Sequence, residues 1–60
     1  MEYYKIIVTL TGGDIFTDTC ISEFVKNSFV NYYEGRQDVA NVEAVQIDLI
    51  EHLKLKNKGI

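Results

Sequence analysis

"NVEAVQIDLIEHLKLKNKG", residues 41–59, makes up nearly a third of the chain and carries two periods at once. Taken in twos, Val45, Ile47, Leu49, Leu53 and Leu55 share one face, as in a strand. Taken in threes and fours, Val42, Val45, Leu49, Ile50 and Leu53 share one face of a helix, with Asn41 at an N-cap position and Gly59 where a helix would stop. The odd positions from 45 to 55 are apolar except Glu51, whereas the helical stripe is interrupted by Gln46 and leaves Ile47 and Leu55 on the wrong side. The β-branched Val42, Val45, Ile47 and Ile50 also favour an extended chain. A strand is the expectation. A straight strand from 42 to 55 would run about 46 Å, whereas a domain of this size is only about 27 Å across. The alternation slips at Ile50-Glu51, so the segment is expected to bend there, turn helical after residue 50, or cross into a second chain.

Upstream, "EYYKIIVTLT" alternates, with Tyr4, Ile6, Val8 and Leu10 on one face and Tyr3, Lys5, Ile7, Thr9 and Thr11 on the other. Gly12-Gly13 suits a two-residue hairpin turn. That turn sets Ile15 opposite Leu10 and Thr17 opposite Val8, and puts Phe16 on the second face with Ile7. "TDTCISEFVKNSFVNYYEG" then predicts an amphipathic helix of about fifteen residues, capped by Asp18 or Thr19 and ended by a left-handed Gly35. Ile21, Phe24, Val25, Ser28, Phe29, Tyr32 and Tyr33 cover about half its circumference, with the aromatics as the expected main reservoir of burial for the core. Val30 falls among the polar residues of the exposed side. The fold class expected is α+β: a two-layer β-β-α-β domain over residues 1–60, with an antiparallel three-stranded sheet in the order 2-1-3 and one amphipathic helix.

Sixty residues form one domain near the lower limit of independent stability. Disulfides, metals and oligomers are the usual remedies. Cys20 has no partner cysteine, and one His with one Cys is a poor zinc set, so a homodimer is the remedy expected, without metal or cofactor. The longest aliphatic run, Ile6-Ile7-Val8, is too short for a membrane span. Met1 opens the chain without a basic leader, which with a free thiol reads as cytoplasmic. Net charge is −3: residues 1–51 hold nine acids against Lys5, Lys26 and Arg36, and residues 52–60 hold Lys54, Lys56 and Lys58 without an acid.

Catalytic chemistry has few candidates. Cys20 in the first turn of the expected helix would gain thiolate character from the dipole, with His52 as the one available base. No third orienting group is identifiable, and the plainer expectation is a buried or half-buried thiol and a surface histidine. Gly12-Gly13 lacks the lysine and spacing of a phosphate loop, and Asp14 and Asp18 lack EF-hand spacing. The expectation is therefore a non-enzymatic module that binds a protein partner. Tyr3, Ile7, Phe16, Tyr33, Ile50, Leu53 and Leu55 are its expected contacts. The alternative is a nucleic-acid accessory factor using Lys54, Lys56, Lys58 and the tyrosines Tyr3, Tyr4, Tyr32 and Tyr33, a use that the acidic balance opposes. In composition the chain resembles the short, proline-free, Ile/Asn/Lys/Tyr-rich reading frames of bacteriophages and mobile elements. That resemblance implies an accessory protein that inhibits or modulates a host protein such as a defence factor, and it transfers no site residues.

Overall fold

β1 (Tyr3–Leu10), β2 (Ile15–Ile21), α1 (Glu23–Glu34), β3 (Val39–Ile47) and α2 (Leu49–Lys58) follow in that order in the computed structural model. It describes residues 2–58, with Lys58 as backbone only. Gly59 lies outside the described residues. The three strands are antiparallel in the order β2-β1-β3, the arrangement expected from the sequence.

The β1–β2 turn differs from the expected one. Gly13 donates its N–H to the Leu10 carbonyl at 3.0 Å, and the Leu10 N–H reaches the Asp14 carbonyl at 2.8 Å. Gly13 takes φ +97°. The loop is thus three residues, Thr11, Gly12 and Gly13, with glycine in the position that needs positive φ. One added loop residue shifts the register, setting Ile15 opposite Thr9, Phe16 opposite Val8 and Thr17 opposite Ile7. A one-residue slip moves every side chain of a strand to the other face. Phe16 therefore joins Val8 under α1, and the expected pairing of Phe16 with Ile7 is corrected.

β2 continues through Ile21, past the Asp18 and Thr19 expected to cap the helix. Ser22 is the N-cap: its Oγ accepts from the Val25 N–H at 3.3 Å, while its own N–H still donates to the Glu2 carbonyl at 2.9 Å. Holding the strand ladder on one side and the helix on the other puts Ser22 at φ +79°, ψ 148°. This borders a region that only glycine occupies readily, at a cost of about 1–3 kcal/mol for other residues. Ser22→Gly is accordingly expected to stabilise the fold by about 1 kcal/mol, the lost cap subtracting a few tenths. Ser22→Ala keeps the strain, loses the cap, and is expected to destabilise by about 1 kcal/mol. Urea midpoints of the two variants must move in opposite directions, and a shared direction would refute the strain. At the other end of α1, Gly35 takes φ −80°, not the left-handed conformation expected, and closes the helix through its N–H to the Asn31 carbonyl.

β3 ends at Ile47, with Ala40 left unopposed where Thr9 pairs Asn41 and Leu10 pairs Val39. Asp48 then caps α2: its Oδ1 accepts from the Glu51 N–H at 2.8 Å, and its carbonyl takes the His52 N–H at 3.0 Å. The strand is therefore shorter than the alternation through Leu49 suggested, and the helical outcome for the C-terminal segment is the one adopted. With extents of 31 × 24 × 16 Å, the domain could not have held the straight strand.

The two helices clad opposite faces of the sheet. Ile6 and Val8 are wholly buried at the centre of β1, joined by Tyr4 and Cys20, and Phe29, Val30, Tyr33, Leu10, Val39 and Val42 pack around them. Val30 thus belongs to the core margin, contrary to its expected exposure. α2 covers the other face, packing on β2 and β1, where the Lys5 ammonium meets the Glu51 carboxylate at 3.1 Å. The single-helix, two-layer expectation gains a third layer.

Candidate functional site

Cys20 lies in β2, not in a helical first turn, and its side chain points with Tyr4 into the α1-side core. Burial, and next the Asp18 carboxylate, push its thiol upward, away from the thiolate. His52, on α2, packs against the opposite face of the sheet, buried rather than at the surface. Its ring lies 4.8 Å from that of Tyr3, and its Nδ1 is 2.7 Å from Thr19 Oγ1. Thr19 gives its only hydroxyl proton to the Tyr4 carbonyl at 2.9 Å, so the imidazole must donate from Nδ1. The sheet separates the thiol from the imidazole, and no Cys–His pair forms. The Tyr4 phenol donates to the Glu2 carboxylate; that bond first, and burial second, push it up to about 12. Among the described residues, no cluster of three or more His, Cys, Asp or Glu side chains is placed to hold a metal. No helix there is long and apolar enough to cross a membrane.

The expected contact residues divide between the two sides. Tyr3 and Ile7 share the face under α2, both half-buried, and Leu55 of α2 is half-buried too. Phe16 and Tyr33 meet edge-on at 5.6 Å on the α1 side. The aromatic patch of Tyr3, Phe16 and Tyr33 is therefore not one patch, a correction that follows from the hairpin register. Ile50 and Leu53 are open to solvent, at 65% and 49% exposure.

Helix α1 holds the larger surprise. None of its side chains is fully buried, although its stripe was expected to fill the core. Phe24 is 81% exposed and Tyr32 62% exposed, and Val25 also reaches solvent. Beside them runs an open apolar groove of about 380 Å³ lined by Val25, Ser28, Phe29, Tyr32 and Tyr33. Half a helical circumference is more than one small sheet can cover, and that excess was the signal in the sequence. On α2, Leu49 joins Ile50 and Leu53 as an exposed apolar group that the contact expectation omitted.

Of the tyrosines of the nucleic-acid alternative, only Tyr3, half-buried, lies on the side of the sheet that carries the lysines of α2. Lys54 and Lys56 lie on α2, with Tyr32 and Tyr33 on α1 across the sheet, and Tyr3 and Tyr4 lie beneath opposite helices. No protein-family model matches the chain, and neither the curated proteins nor the solved structures contain a match to it.

Proposed function

We propose that this chain is a small non-enzymatic protein-binding module that pairs with itself and, on a second surface, with another protein. One observation carries the reading: each helix turns large apolar side chains to solvent on its own side of the sheet, Phe24, Val25 and Tyr32 on α1, and Leu49, Ile50 and Leu53 on α2. Contiguous apolar groups of this kind mark contact surfaces rather than scattered exposure. Aromatic anchors such as Phe24 and Tyr32 suit the centre of an interface. The phage-like composition directs the search for the second partner to host proteins.

The test is affinity capture from the native host with the wild-type chain and with an Ile50→Glu/Leu53→Glu variant. Both side chains are exposed, so the variant keeps the fold. The reading expects a protein that the wild type retains and the variant loses at least tenfold. Equal retention by both would remove the α2 surface from the function. Recovery of nucleic acid, released steeply by salt, would favour the basic residues instead.

A further inference from the structure

We infer that the self-pairing surface is the outward strip of α1, and that two copies pack these helices antiparallel about a two-fold axis at Ser28. The inference rests on the binding-module reading above and specifies which surface meets a second copy of the chain.

Successive helical residues stand about 100° apart. Lys26, Phe29, Val30 and Tyr33 take the inner side of α1, all half-buried, with the Lys26 ammonium 5.3 Å from the Tyr4 ring centre. The side opposite them carries Phe24, Ser28 and Asn31, flanked by Val25, Asn27 and Tyr32. None of these six side chains is charged, although the Arg36 guanidinium, paired with Asp38, sits over the Tyr32 ring at 5.9 Å from its centre. Uncharged side chains bring no like-charge repulsion when the strip meets its own copy. Interface centres are depleted of charge and enriched in aromatics in the same way.

The strip is also complementary to itself. A two-fold axis at Ser28 places Phe24 of one copy over Tyr32 of the other, and the reverse. Phe24 is the protruding group, and the groove along Ser28, Phe29, Tyr32 and Tyr33 is the matching recess one turn away. The axis position calls for a small side chain, because helices packed about 8–10 Å apart bring facing backbones close. Serine fits, and its hydroxyl is already satisfied by the Phe24 carbonyl at 3.2 Å, so covering it orphans no polar group. Antiparallel pairing also sets each helix N-terminus beside the partner's C-terminus. A standard interface buries about 800 Å² per partner, near a fifth of the 4303 Å² this chain exposes. The α1 strip brings Phe24, Tyr32 and Val25 toward that area, with the partly exposed Phe16 beside its groove. The recess on α2, about 460 Å³, is lined by Glu51, Lys54 and Asn57 with Leu55, so it lacks the apolar lining of the α1 groove.

Light scattering on the full chain at high micromolar concentration tests the pairing. The wild type is expected to be a dimer, Phe24→Glu a folded monomer by circular dichroism, and Leu53→Glu a dimer. A Ser28→Cys variant under oxidised glutathione is expected to cross-link to its own copy at position 28. A Glu34→Cys variant should not, since its two copies stand on the order of 18 Å apart along the paired helices. Cys20 is buried and does not compete. A dimer that survives Phe24→Glu, or faster cross-linking through position 34, would overturn this surface and leave the binding-module reading standing. A strict wild-type monomer would overturn self-pairing altogether, leaving capture through α2 to be judged by its own test. Should Phe24→Glu fail to fold, the position 28 and 34 cross-links, made with Phe24 in place, decide the matter.

Discussion

Ile6→Ala is expected to remove about half of the stability of the domain. Ile6 is wholly buried in the middle of the central strand, under α1 and between both neighbours. Removing its outer carbons leaves a cavity costing about 2–5 kcal/mol. A domain of this length has about 3–9 kcal/mol in all. Ile15→Ala, at a position 64% exposed, is expected to stay within about 0.5 kcal/mol of wild type. Urea denaturation at one fixed protein concentration, since the proposed self-pairing adds to apparent stability, checks the contrast. Similar losses for the two variants would mean that the core is not where Ile6 and Val8 place it.

Thr19→Val is expected to cost about 1–3 kcal/mol, far more than a change of one hydroxyl to a methyl suggests. The valine keeps the shape but strands the His52 Nδ1–H, whose acceptor is Thr19 Oγ1 at 2.7 Å. Adding His52→Leu removes the stranded donor, so the double variant should be more stable than Thr19→Val alone, with a coupling of about 0.5–3 kcal/mol. Because this bond fastens α2 to β2, the single variant should speed amide exchange in α2 before that in β1. Strictly additive losses, or uniform acceleration across the sheet, would refute the role of the Thr19–His52 bond as the fastening of that helix.

Much of this architecture was legible in the residues. The alternation of Tyr4, Ile6, Val8 and Leu10 marked the central strand and its buried face, and the need for a third strand beside it gave the order 2-1-3. Where the reading slipped, a short-range device outweighed periodicity. Gly13 rather than Gly12-Gly13 together made the turn, which moved Phe16 across the sheet and broke up the expected aromatic patch. Asp48 followed three residues later by Glu51 is a helix-start signature, and it ended the strand at Ile47 although the alternation ran on to Leu49. The Glu51 side chain that could have closed a reciprocal cap instead meets Lys5. Burial of His52 was not legible, because its acceptor Thr19 is 33 residues away in sequence and only the register of β2 brings the two together. Of the exposed apolar residues, Ile50 and Leu53 were read from the slip in the repeat. Phe24 and Tyr32 were assigned to a core that one small sheet could not extend to them.

The position of β1 bears on how the chain comes off the ribosome. Its central strand is made first, and its second neighbour, β3, follows after the roughly 30 intervening residues, about 1.5–6 s of synthesis at about 5–20 residues per second. Until β3 docks, the β1–β2 hairpin carries the most buried strand of the domain with one edge unpaired, an open template for pairing with other chains.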